Sequence, residues 1–217
     1  GLSDKPPLDY RPEDLIESIR GFMDALDLPS ATLIGNSMGG GVAIGMALTH
    51  PDRVSRLVLV DSLPDHVRER LTSPLMQRAL NTSVPAWLAR FGALFVGNRT
   101  TESVLKEIIY DHTLVTPAVL DRSNRNRQRE DMITPLMSLR DSLPLWERHF
   151  APRLKDIQQP VLILWGEQDR LFPPQVGRDL EATIPRARLI IIPDAGHIPQ
   201  WEQPEVVNRH ITEFLQP

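Results

Sequence analysis

A short apolar run, Ala31-Thr32-Leu33-Ile34, passes without a spacer into Gly35-Asn36-Ser37-Met38-Gly39-Gly40. Small apolar residues then continue from Met38 to His50, where Pro51 stops them. The first stretch reads as a buried strand and the second as a buried helix, joined by a turn only a few residues long. The glycines beside Ser37 fit a turn in which strand and helix backbones come very close. A serine in such a turn is strained, and its hydroxyl is lifted above the sheet.

The remaining pattern agrees. From Pro12, apolar residues at 15, 16, 19, 22, 23 and 26 recur at helical spacing, with Pro12 suited to a first helical position. Glu13 and Asp14 favour the positive end of that helix's dipole. Val54–Val60, Val161–Trp165 and Leu189–Ile192 read as further strands, apolar on both faces. Helical segments are expected over 174–184 and 206–215. Strands alternating with helices predict an α/β fold, a mostly parallel sheet with helices on both faces. Residues 62–159 differ: prolines at 64, 74, 85, 117, 135, 144 and 152 break them into helix-like patches. Within them Thr116-Pro117 reads as an N-cap followed by a first-turn proline. The organisation expected is core 1–61, a helical lid 62–159 and core 160–217.

Composition narrows the chemistry. The 217 residues carry a net charge of −4 with mixed signs and no cysteine. That profile excludes disulfide frameworks and thiolate catalysis, and it argues against a nucleic-acid partner. No apolar run is long enough for a membrane span. The six histidines show no His-x-x-x-His pair, so neither a metal nor another cofactor is expected. What remains is a serine needing a base, and a base needing an acid to orient it. Asp169 follows strand Val161–Trp165 and His197 follows strand Leu189–Ile192. Both stand where ligand chemistry collects in open α/β sheets. The Met38 N–H, at a helix N-terminus, would face a developing oxyanion. Asp61, also after a strand, is the competing acid; Asp169 is preferred because Asp61 directly precedes the lid. Glu167 and Asp194 read as solvated loop carboxylates. The basic run Arg122–Arg129 reads as a solvated helix face rather than an anion site. Trp87–Val96 serves equally as acyl pocket or lid core.

Together, Gly35-Asn36-Ser37-Met38-Gly39-Gly40, His50-Pro51-Asp52-Arg53-Val54, Trp165-Gly166-Glu167-Gln168-Asp169, Gly196-His197 and Gln200-Trp201-Glu202-Gln203-Pro204-Glu205 resemble the α/β-hydrolase family over nearly the whole chain. The resemblance implies Ser37 as nucleophile, His197 as general base and Asp169 as its orienting acid. It implies hydrolysis of a small carboxylic ester through an acyl-enzyme. The alternative reaction is carbon–carbon cleavage of the meta-cleavage-product type. Tyr110-Asp111-His112-Thr113-Leu114-Val115-Thr116 resembles that group's lid, whereas Ile198 stands where that group usually carries Trp. A third alternative is an inactive binding protein of the same fold. Only 36 residues precede Ser37, fewer than the family usually has. The chain therefore reads as beginning mid-domain, without the loop giving a second oxyanion donor and with an open sheet edge. A cytoplasmic location and a homo-oligomer complete the expectations.

Overall fold

The computed structural model describes residues 3–6, 8–82, 97–127 and 132–216. Four strands, β1 (Ala31–Asn36), β2 (Val54–Val60), β3 (Val161–Gly166) and β4 (Ala187–Ile192), lie side by side in chain order, each neighbouring pair parallel. The helices described are α1 (Pro12–Ala25), α2 (Met38–Thr49), α3 (Val67–Arg70), α4 (Pro74–Asn81), α5 (Asn98–Ile108), α6 (Pro117–Arg127), α7 (Ile133–His149), α8 (Pro174–Thr183), α9 (Pro199–Glu202) and α10 (Pro204–Leu215). None is long and apolar enough to cross a membrane.

Alternation along β2 and β3 divides the core. Leu57, Leu59, Ile163 and Trp165 join the cluster that includes Ile16 of α1, Ile44 of α2 and Val176 of α8. Val58, Val60, Leu162, Leu164 and Ile192 join the opposite cluster with Val207 of α10. All six residues of β3 are buried, so this strand is apolar on both faces, as a doubly covered parallel strand must be. At the β1 edge, Ile34 is 53% exposed. Register places Asn36 opposite Val60, Val60 opposite Leu164 and Leu164 opposite Ile190. The loops leaving the strands therefore gather along one edge of the sheet.

Between β2 and β3, the described elements are helical. Thr116 precedes α6, and its hydroxyl accepts a 3.4 Å hydrogen bond from Val119 N. Pro144 departs from expectation, because α7 runs through it unbroken. A mid-helix proline costs about 3 kcal/mol through a lost hydrogen bond and ring crowding. Packing beyond it offsets that cost. Trp146 and Phe150 are buried and stacked at 5.4 Å, and Trp146 Nε1 donates to Pro64 O. Trp87–Val96 lies outside the described residues.

Candidate active site

Ser37 sits between β1 and α2 with φ 52° and ψ −118°. For a non-glycine residue that backbone costs about 1–3 kcal/mol and must be held in place. The Ser37 N–H donates to Val60 O at 2.9 Å, and Leu63 N donates back to Ser37 O at 3.2 Å. The glycines divide this work differently from expectation. A Cβ on Gly35 would collide with the Gly39 backbone, and one on Gly40 would collide with the Ser62 side chain. A Cβ on Gly39 would meet nothing within 4 Å. Strand and helix thus close on Gly35 and Gly40, and Gly39 imposes no such need.

Two further loops meet beside the β1 loop. Asp169 Oδ1 accepts the backbone N–H groups of Leu171 at 2.8 Å and Phe172 at 3.3 Å. Its Oδ2 lies 2.8 Å from His197 Nδ1. An ionised carboxylate only accepts, so the proton resides on Nδ1 and Nε2 keeps a lone pair. Both residues are buried, and the Phe172 ring packs on the imidazole at 5.9 Å. Asp169 and His197, expected from separate strand ends, are brought together. Among the described residues Ser37 Oγ and His197 Nε2 are not hydrogen-bonded, a contact that often tightens only when substrate binds. Met38 opens α2, where the first N–H groups have no intrahelical acceptor.

Several supporting residues carried no role in the sequence reading. Asn36 Nδ2 donates to Val60 O and to His197 O, both at 3.0 Å, tying the Ser37 turn to the histidine loop. Gln168 joins the other two loops: its N–H donates to Ala195 O, and its side-chain Oε1 accepts from Ala195 N. Glu202 accepts from Gly196 N at 2.7 Å through Oε1, and from Tyr110 N and Asp111 N through Oε2. His197 N donates to Ile108 O at 2.8 Å. The segment from Tyr110 is therefore docked on the histidine loop. A Cβ on Gly166 would strike the Gly196 carbonyl, so β3 and the histidine loop touch backbone to backbone. The sequence-level hint for Asn36, Gln168 and Glu202 was that each belongs to a motif shared with the α/β-hydrolase family, without a role attached.

Asp61 is fully buried beside the pair, with φ 40°. Its Oδ1 accepts from Gly166 N at 2.9 Å. Asp61, Asp169 and His197 each offer an atom within 4.8 Å of the others, a spacing that would suit a cation. Nδ1, however, is already engaged by Asp169. Glu167 and Asp194 are exposed, as are Arg122 and Arg125.

A cavity of about 230 Å³ adjoins Ser37. Among the described residues its walls are Met38, Leu63, Val67, Leu71, Met76, Leu80, Leu136, Leu139, Leu143, Leu171 and Phe172, with Arg140 the one charged side chain. Arg140 gives Nε to Asp141 and Nη1 to Thr82 O. An adjoining cavity shares Met38, Leu63, Leu139 and Leu143 and reaches Tyr10 and Trp146. Arg140 was not singled out in the sequence because one arginine in a helix carries no local signature.

The family model for the alpha/beta hydrolase fold matches residues 1–204. The chain is 30% identical over 199 residues to a 2-hydroxy-6-oxo-6-phenylhexa-2,4-dienoate hydrolase of Burkholderia cepacia, covering 91% of this chain and 67% of the relative. It is 31% identical over 204 residues to a 2-hydroxy-6-oxononadienedioate/2-hydroxy-6-oxononatrienedioate hydrolase of Paraburkholderia xenovorans (strain LB400), covering 91% and 66%. The chain thus spans about two thirds of the length of these relatives. Among solved structures, a meta-cleavage product hydrolase from Pseudomonas fluorescens IP01 superposes with a TM-score of 0.77 at 25% identity, over 99% of this chain and 75% of that one. A thermophilic esterase from Thermogutta terrifontis gives a TM-score of 0.71 at 29% identity, over 99% and 75%. The chain belongs to the α/β-hydrolase fold family.

Proposed function

We propose that this hydrolase uses Ser37 as nucleophile, His197 as general base and Asp169 as the acid that orients it. The observation that carries the reading is the buried 2.8 Å contact between His197 Nδ1 and Asp169. It leaves the Nε2 lone pair on the imidazole to take the Ser37 proton as the hydroxyl attacks a carbonyl carbon. The oxyanion that forms would be met by the Met38 N–H. The imidazolium then protonates the departing group; in the second half, His197 takes a proton from water as it attacks the acyl-enzyme and returns that proton to the Ser37 oxygen as it leaves. The helices between β2 and β3 serve as the cover, since they supply most of the cavity wall over Ser37.

An alkoxide leaving group makes this ester hydrolysis; for a 2-hydroxy-6-oxo-dienoate, tautomerisation to the 2-oxo form moves the hydroxyl proton to C5, and attack on the C6 carbonyl then expels C5 as a conjugated dienolate, which makes it carbon–carbon cleavage. The carbon–carbon reaction is the better supported. The two sequence relatives reported above are named for hydrolysis of a dienoate and of a dienedioate or trienedioate, and the described cavity wall is apolar apart from Arg140, suiting an apolar ketone that ends in a carboxylate. Turnover of 2-hydroxy-6-oxo-6-phenylhexa-2,4-dienoate, followed by loss of its conjugated absorbance, is the test beside p-nitrophenyl esters of graded length. The dienoate is expected to give a kcat/KM at least tenfold above the best ester. Esters turned over faster than the dienoate would restore the carboxylesterase reading.

A further inference from the structure

The buried Asp61 has a role that neither the nucleophile, the base nor the orienting acid fills. One of its oxygens, Oδ1, accepts from Gly166 N. The other, Oδ2, is wholly buried and meets no donor among the described residues. An ionised carboxylate with an orphaned buried oxygen is costly, and here a second buried carboxylate, Asp169, stands within 4.8 Å. Among the described residues, the charged or titratable groups facing Asp61 are Asp169 from the β3 loop, His197 from the β4 loop and Glu202 from α9. None of them is a permanent cation. Like charges this close do not both ionise in a dry site, and the one already satisfied by three donors is Asp169.

We propose that Asp61 is held as the neutral acid and that its Oδ2–H donates a hydrogen bond to the Asp169 carboxylate, making it a positioning residue for the Asp169–His197 pair. Its two oxygens then have distinct tasks, one accepting from the β3 backbone and one donating to Asp169. Burial, followed by the charge of Asp169, pushes the Asp61 carboxyl well above the usual carboxylate range. The neutral acid leaves Asp169 as the single buried negative charge beside the imidazole. The inference rests on the reading of Asp169 and His197 as acid and base.

Asparagine keeps both tasks, with its oxygen towards Gly166 N and its amide towards Asp169. Asp61→Asn is therefore expected to retain at least about a third of the parental kcat/KM, with the acid limb of the pH profile unmoved. If Asp61 were instead ionised in the parent, asparagine would delete a negative charge near the imidazole. The limb would then move to lower pH by roughly one unit or more, which would overturn the proposal. Asp61→Ala removes donor and acceptor together, and is expected to lower kcat tenfold or more with KM little changed. Parental kcat in a folded Asp61→Ala protein would also overturn it. Infrared spectroscopy at neutral pH reads Asp61 without turnover: a protonated-carboxyl band should be present in the parent and missing from Asp61→Asn. No such band in the parent sinks the proposal even if the triad stands, whereas failure of the triad itself is read by labelling of Ser37.

Discussion

Asp169 takes three hydrogen bonds on two oxygens, all from groups that can only donate in this arrangement. Asparagine would turn an amide towards one of them and favour the wrong imidazole tautomer. Asp169→Asn is expected to lower kcat by on the order of 10⁴, and His197→Ala by about 10⁶, in single-turnover and steady-state assays alike. Comparable activity in parent and Asp169→Asn would remove the acid assignment. Asp61 carries a pH signature of its own. A carboxyl whose folded value is raised above its unfolded 3.8 contributes stability fully below that value, and loses the contribution as pH rises towards the folded one. Denaturant unfolding should therefore show Asp61→Asn gaining on the parent from pH 5 to pH 7. A constant difference across that interval would contradict a raised Asp61.

At the element scale, the two glycines in the first turn of α2 differ: the connection from β1 needs Gly40 and does not need Gly39. Gly40→Ala would drive a methyl into Ser62 and is expected to destabilise by about 1–3 kcal/mol in thermal unfolding. Gly39→Ala meets open space inside a helix and is expected to be neutral or to stabilise by up to about 1 kcal/mol. Equal effects at both positions would refute this account of the turn. The sequence displayed the Gly-x-Ser-x-Gly pattern but not which glycine is pressed, because that depends on Ser62, which arrives from the end of β2. The same limit applies elsewhere. β2 and β3 were legible from continuous apolar runs, and His197 and Asp169 from their places after strands. Asn36 and Gln168 act through partners 24 to 161 residues away, Glu202 through Tyr110 and Asp111 as well as the nearer Gly196, and Arg140 by lining a cavity, and no local pattern records such partners. Pro144 misled because propensity stops a helix that the Trp146–Phe150 stack sustains.

Across the whole molecule, the chemistry is assembled at one sheet edge from loops far apart in sequence, and the intervening helices are tied down onto it. Arg70 of α3 pairs with Asp65 at 2.7 Å and with Asp179 of α8, while Glu147 of α7 accepts from Val67 N. These ties hold the wall over Ser37, so Arg70→Ala is expected to raise KM several-fold with a smaller change in kcat. Its stability cost should stay near 0.5–1 kcal/mol because the pair is partly solvated. The central claim is that Ser37 is the nucleophile. Covalent labelling with a fluorophosphonate, followed by peptide mass mapping, reads it directly. The account predicts one adduct, on the peptide carrying Ser37, which is abolished in Ser37→Ala and strongly slowed in His197→Ala. An adduct that survives Ser37→Ala, or one mapped to another residue in the parent, would contradict it.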